Sequence, residues 1–188
     1  MNIKRAELAG TYFNARQLPA DPRPKALFLG RSNVGKSTLI NTLLGRRLAR
    51  TSATPGKTLS VNYFAVEGRL LFVDLPGYGY ARVSKDEAAR VRRLIADFLQ
   101  RVENARLALL LIDSRRGFLP PDLETLAALL EKNLPVLTIL TKSDKISLSQ
   151  QRNLIDQFKN KFGLLAIPFS IRSAAGRDEV WRRIQEAI

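Results

Sequence analysis

One short run most narrows what this chain can fold into. Gly30-Arg31-Ser32-Asn33-Val34-Gly35-Lys36-Ser37 fits G-x-x-x-x-G-K-[ST], a phosphate-binding loop. Before it, Ala26-Leu27-Phe28-Leu29 reads as a buried strand. After it, Ser37 to Leu44 pairs its apolar residues at helical spacing. Strand, glycine loop and helix is the context the motif requires. Glycines let the backbone curl until successive N–H groups face an anion, and the positive end of the new helix adds to that field. Lys36 would reach the β- and γ-phosphates, and the Ser37 hydroxyl would sit on Mg²⁺.

The alternation continues. Strands are predicted near 25–29, 59–66, 69–74, 107–112, 135–140 and 164–168, and helices near 36–44, 84–102, 120–132, 148–160 and from 177. Gly45 closes the first helix, and Ser84…Glu87 and Ser147…Gln150 match capping boxes. Glu67-Gly68 marks a hairpin, so 59–66 and 69–74 pair antiparallel. The expected fold is α/β, three layers, a mostly parallel six-stranded sheet with one antiparallel strand and helices on both faces. Residues 1–24, with Pro19, Pro22 and Pro24, read as an extended lead-in to a single domain over 25–188. Val180, Trp181, Ile184 and Ile188 make one apolar stripe on the last helix, where Trp181 reads as core.

Composition removes whole classes of chemistry. With no histidine and no cysteine among 188 residues, His-based triads, His or thiolate zinc sites and disulfides are excluded. Catalysis must run on carboxylates, hydroxyls, backbone amides, Lys/Arg and a bound metal. Leu107–Ile112 is the longest apolar stretch, too short to span a bilayer, and Met1-Asn2-Ile3-Lys4-Arg5 leads into no signal-peptide core. Thirty-one Lys and Arg against 17 acids leave a formal charge of +14, which points to a polyanionic partner.

Three further signals come after the phosphate loop, each at the carboxyl end of a strand, where ligands bind in open α/β sheets. Asp74-Leu75-Pro76-Gly77 is a D-x-x-G: Asp74 would hold Mg²⁺ through water, and the Gly77 N–H would meet a γ-phosphate. Thr141-Lys142-Ser143-Asp144 succeeds strand 135–140. An acid at 144 can accept from guanine N1–H and from its exocyclic amino group, donors that adenine lacks in that arrangement. The stem of Lys142 would lie along the base. Phe169-Ser170-Ile171 could offer a backbone N–H to guanine O6.

With these residues in view, the chain resembles the small Ras-like, translation-factor-related GTPases, and within them the EngB family of ribosome-biogenesis GTPases. The likeness covers about residues 20–188. It rests on Gly30–Ser37 with its Ser32-Asn33-Val34, on Thr54-Pro55-Gly56-Lys57-Thr58, on Asp74-Leu75-Pro76-Gly77-Tyr78-Gly79-Tyr80-Ala81 and on Thr141–Asp144. The resemblance implies a cytoplasmic, monomeric GTP/GDP-binding switch with Mg²⁺, acting with the rRNA and proteins of the large ribosomal subunit or its precursor, and linked to cell division and septation. It assigns the loop at 50–58 to the first switch and Gly56, Lys57, Thr58, Leu59 and Ser60 to nucleotide binding, with Thr58 joining Mg²⁺ in the triphosphate state and Thr54 as its competitor. Together with Lys36, Asn33 and Gly77, Thr58 makes the expected catalytic set. Ile171 departs from the family's usual Ser.

Tyr78 stands where Ras-like proteins carry a water-positioning Gln, so slow intrinsic hydrolysis is expected. The Asn33 resemblance implies K⁺ beside the phosphates; shaping the loop is the alternative role for that residue. Arg46, Arg47, Arg50, Arg82, Lys85, Arg90, Arg93 and Arg115-Arg116 are candidates for the partner surface, many of them beside the switches. The competing expectation, a membrane-surface or division-site module, lacks a basic amphipathic helix with bulky anchors and a lipidation motif.

Overall fold

The computed structural model describes residues 3–49, 59–79 and 84–188. Alternating side chains explain why the strands lie in the middle of the molecule. On β5 (Ala105–Asp113), Leu107, Leu109 and Leu111 join one apolar cluster, and Ala108, Leu110 and Ile112 join the other. A strand buried on both faces reads as a continuous apolar run, which is why 107–112 is unbroken. The two clusters are the contacts of two helix layers. α1 (Lys36–Leu44) and α5 (Ala174–Ala187) cover one face through Leu39, Ile40, Leu43, Val180, Trp181 and Ile184. α2 (Lys85–Arg101), α3 (Pro120–Glu131) and α4 (Leu148–Phe162) cover the other through residues such as Val91, Leu94, Phe98, Leu126, Leu129 and Phe158.

The sheet runs β1-β3-β4-β2-β5-β6-β7. Its remaining strands are β1 (Ala6–Tyr12), β2 (Lys25–Gly30), β3 (Val61–Val66), β4 (Leu70–Asp74), β6 (Val136–Thr141) and β7 (Leu165–Phe169). β3 is antiparallel to both neighbours and every other pairing is parallel, so one strand runs against the rest. Glu67 (φ 51°) and Gly68 (φ 67°) form its hairpin turn. Positive φ at both central residues is the type I′ geometry that matches strand twist.

The expected six strands become seven. Part of the lead-in, Ala6–Tyr12, pairs along β3 with a bulge between Leu8 and Gly10. The Glu67 carboxylate accepts from the Lys4 and Arg5 N–H groups and tethers that end. This edge strand buries only Ala6, so hydrophobic period gave no sign of it.

The other boundaries shift by a residue or two, except at α5. It starts at Ala174, not near 177, because the Ser173 hydroxyl caps it by accepting from the Gly176 N–H. Trp181 is core: it is 2% exposed, donates to the Leu43 carbonyl at 3.0 Å and lies 5.3 Å from the Phe72 ring. Ile188 is exposed and outside the apolar stripe expected for it.

Candidate functional site

Five parallel strands deliver their carboxyl ends to one edge of the sheet: Gly30, Asp74, Asp113, Thr141 and Phe169 are the last residues of β2, β4, β5, β6 and β7. The loops that leave these strand ends build the site.

After Gly30 the chain turns through Asn33 (φ 62°) and Gly35 (φ 107°) into α1. The second value belongs to glycine, and the first to a residue such as Asn that tolerates left-handed backbone. Asn33 thus carries the left-handed turn of the loop in its backbone. α1 carries no side-chain N-cap bond, so its first N–H groups stay available to an anion. Lys36 stands at the first helical position, and its ammonium pairs with the Asp74 carboxylate.

Asp74 is 7% exposed at the tip of β4. A carboxylate there, with the Ser37 hydroxyl on the adjoining turn of α1, is a hard oxygen donor set, the kind Mg²⁺ takes alongside phosphate oxygens. Among the described residues, no group of three or more acids forms a metal cage of its own. The donor set therefore fits Mg²⁺, with Ser37 and Asp74 as holders.

Leu75-Pro76-Gly77-Tyr78 then folds back over the phosphate loop. The Ser32 N–H donates to the Tyr78 carbonyl at 2.9 Å, the Tyr78 N–H to the Gly30 carbonyl at 3.4 Å, and the Ser32 hydroxyl to the Gly77 carbonyl at 3.1 Å. The approach is close: a Cβ on Gly77 would lie 3.0 Å from both Cα and Oγ of Ser32. Tyr78 turns inward. It is 5% exposed, and its hydroxyl donates to Asp122 Oδ1 at 3.0 Å. Asp122, 1% exposed, accepts the Leu119 N–H on its other oxygen at 3.0 Å and so caps α3. Burial raises its carboxyl above the usual range. The phenol faces α3.

The Thr141–Asp144 loop is fastened to the phosphate loop by side chains. The Thr141 hydroxyl lies 2.7 Å from the Val34 carbonyl and 3.1 Å from that of Ile112. Lys142, at φ 57°, donates its ammonium to the Asn33 carbonyl and to Asp113 Oδ2, each at 2.8 Å. Burial alone would raise the Asp113 carboxyl, but hydrogen bonds from Arg115 and Lys142 hold it well below the usual carboxylate range. Ser143 is buried, and its carbonyl accepts from Gln151 at 2.9 Å. Asp144 reaches toward β7, where the Ser170 hydroxyl holds its carboxylate below the usual range. Phe169 and Ser170 are buried and Ile171 is exposed, so the turn presents backbone whichever side chain stands at 171.

The structure thus brings Gly30–Ser37, Asp74–Gly77, Thr141–Asp144 and Phe169–Ile171 to one edge, with Leu59 and Ser60 just before β3. Gly56, Lys57, Thr58 and the competitor Thr54 lie outside the described residues, as do Arg50 and Arg82. Sequence reasoning missed two acids. Asp113 stood at the end of the apolar β5 run, in register with Thr141. Asp122 stood third in a helix opened by Pro120-Pro121, a capping position.

Comparison with known proteins agrees with this geometry. The family described as 50S ribosome-binding GTPase matches residues 25–142. The chain is 43% identical to the probable GTP-binding protein EngB of Caldanaerobacter subterraneus subsp. tengcongensis, over 100% of this chain and 99% of that one. It is 40% identical to the probable EngB of Kosmotoga olearia over 96% and 97%. Among solved structures, a probable GTP-binding protein EngB superposes with a TM-score of 0.73 at 28% identity, covering 87% of this chain and 97% of that one. Era bound to MgGDPNP and nucleotides 1506–1542 of 16S ribosomal RNA superposes at 0.69 with 27% identity, covering 87% and 56%.

Proposed function

The chain belongs to the EngB family of GTP-binding proteins, and from that premise we propose that this GTPase is a slow, nucleotide-controlled switch acting in assembly of the large ribosomal subunit, with a consequence for cell division. The observation that carries the nucleotide reading is the Thr141 hydroxyl on the Val34 carbonyl, which fixes the base-reading loop to the phosphate loop. A guanine nucleotide bridging the two loops meets a preset spacing. Asp144 reads the guanine edge, the stem of Lys142 lies along the base, and a backbone N–H of the 169–171 turn donates to O6. Lys36 leaves Asp74 for the β- and γ-phosphates. Asp74 and Ser37, with Thr58, then serve Mg²⁺, which supplies charge neutralisation on the phosphates when bound. The Gly77 N–H senses the third phosphate.

Slow turnover is the consequence of Tyr78. Its buried hydroxyl is committed to Asp122 and leaves no side chain from that position to orient water. Asn33 retains its proposed role toward K⁺, and its left-handed backbone supports the loop-shaping role equally. Turnover faster in K⁺ than in Na⁺, and levelled by Asn33→Ala, decides between them.

The formal charge of +14, and the name of the family that matches, support a ribosomal partner. Arg47, Lys85, Arg90 and Arg93 are exposed, whereas Arg46 is engaged with the Lys4 carbonyl and Arg115 with Asp113. No helix among the described residues is long and apolar enough to cross a membrane, and a cytoplasmic monomer is the proposed working state. The deciding measurement is cosedimentation with purified ribosomal subunits and with anionic vesicles, each with GDP and with a non-hydrolysable GTP analogue. Nucleotide-dependent binding to the large subunit is expected. Binding to vesicles alone would transfer the function to a membrane surface.

A further inference from the structure

Beside the base end of the nucleotide edge, the start of α3 and the length of α4 border a groove of about 1050 Å³. Its floor is aromatic. Phe118 stacks on Phe158 with ring centroids 4.4 Å apart and meets Phe162 edge-on at 4.9 Å. Phe118 and Phe162 keep part of their surface exposed. Along the α4 wall, Gln150, Asn153, Gln157 and Asn160 succeed one another at helical spacing, so one face presents a row of amides. Arg116 and Lys161 add exposed positive charge, against the single acid Asp156. Arg115, also in the lining, is spent on Asp113.

A further observation marks the inner end as a contact point. Ser114 lines the groove and is 5% exposed, yet its buried hydroxyl has no hydrogen-bond partner among the described residues. Buried polar groups are normally paired, and leaving one unpaired is costly. That hydroxyl lies one residue from Asp113, which holds Lys142 of the base-reading loop.

The geometry points to a binding site for single-stranded RNA in this groove. The inference deepens the ribosomal reading and rests on it for the source of the RNA. The part-exposed rings of Phe118 and Phe162 give unstacked bases an apolar surface, with the Lys161 ammonium over the Phe162 ring; amides pair with base edges, and the cations meet the phosphates. Duplex RNA buries its base faces and cannot use the floor. An acidic protein segment would call for more cations than Arg116 and Lys161, and the α4 wall between them carries amides.

The test uses the full chain loaded with GDP and a fluorescent twelve-nucleotide single-stranded oligo(A) or oligo(U), read by anisotropy across a salt series. A duplex RNA and a polyglutamate peptide are the competitors. Single strands are expected to bind more tightly than the duplex. Arg116→Ala with Lys161→Ala should weaken them roughly tenfold and lower the slope of log affinity against log salt by about 1.4, two phosphate contacts' worth. Ser114→Ala should weaken the oligonucleotide without altering that slope. Fluorescent GDP should bind the variants as it binds the parent. Unchanged oligonucleotide affinity and slope in the double variant would overturn the assignment. So would polyglutamate displacing the oligonucleotide while duplex and single strand bind alike. The wild type is run beside ribosomal subunits as well. Oligonucleotide binding without subunit binding removes the ribosomal reading and leaves the groove. Subunit binding that the double variant retains in full, with oligonucleotide binding also intact, removes the groove and leaves the ribosomal reading.

Discussion

The two ends of the nucleotide edge are built differently. At the base end, side chains do the fastening: the buried Thr141 hydroxyl on Val34 and Ile112 carbonyls, and the half-buried Lys142 ammonium between Asn33 and Asp113. At the phosphate end, the second switch rests on the phosphate loop through a few bonds, most of them backbone: Ser32 to Tyr78 and to Gly77, and Tyr78 to Gly30. On the proposed assignment the base never changes during a GTPase cycle, so a reader at Thr141–Asp144 gains from being fixed. The third phosphate comes and goes, so its sensor must be released by small forces. A contact made of a few net-weak hydrogen bonds, each worth roughly 1 kcal/mol, can be traded for contacts to phosphate.

Substitutions at either end probe this contrast. The largest effect is expected at the base end. Asp144→Asn removes a charged acceptor for two guanine donors, so GTP affinity should fall by about 3–6 kcal/mol, at least ~100-fold. Xanthosine nucleotides should gain, because the amide complements xanthine. Titration calorimetry with both nucleotides reads this, and an unchanged GTP affinity would mean the base sits elsewhere.

At the phosphate end, Gly77→Ala places a methyl 3.0 Å from Ser32 backbone and hydroxyl. Overpacking of about 1–3 kcal/mol should lift the switch and weaken a GTP analogue roughly tenfold while sparing GDP. Equal losses for both would assign the damage to the phosphate loop itself.

Tyr78→Phe keeps the packing and deletes the bond to Asp122. Unfolding in urea should show a loss of about 1–2 kcal/mol. GTP turnover should hold steady, since the hydroxyl faces α3; a collapse in turnover would make the phenol a participant.

The smallest effect lies again at the base end. Asp113 titrates below the ordinary value of 3.8 in the folded protein because of Arg115 and Lys142, burial notwithstanding. The unfolded chain therefore takes up the proton first as pH falls. The stability that Asp113 contributes is present above about pH 4 and is lost as pH drops through its folded value. Urea unfolding of Asp113→Asn between pH 7 and pH 3 should show a shallower acid decline than the parent, and parallel curves would contradict the pairing.

Local chemistry and period determined most of this protein in one dimension. The glycine loop, the D-x-x-G and the Thr-Lys-Ser-Asp run are contiguous, and each carries its backbone or side-chain requirement within a few residues. Strands buried on both faces announce themselves as apolar runs, as 107–112 does. The order of strands and loops along the chain therefore placed the site at the carboxyl edge. Tertiary structure decided what depends on pairs far apart in sequence. Ala6–Tyr12 became a strand because β3 offered an open edge and Glu67 a tether, not because of its own weak pattern. Asp122 acquired its role from Tyr78, 44 positions away, and Thr141 from Val34, 107 positions away. A hydrogen bond between distant residues leaves no period and no motif in either segment, and only the folded sheet brings its two ends together.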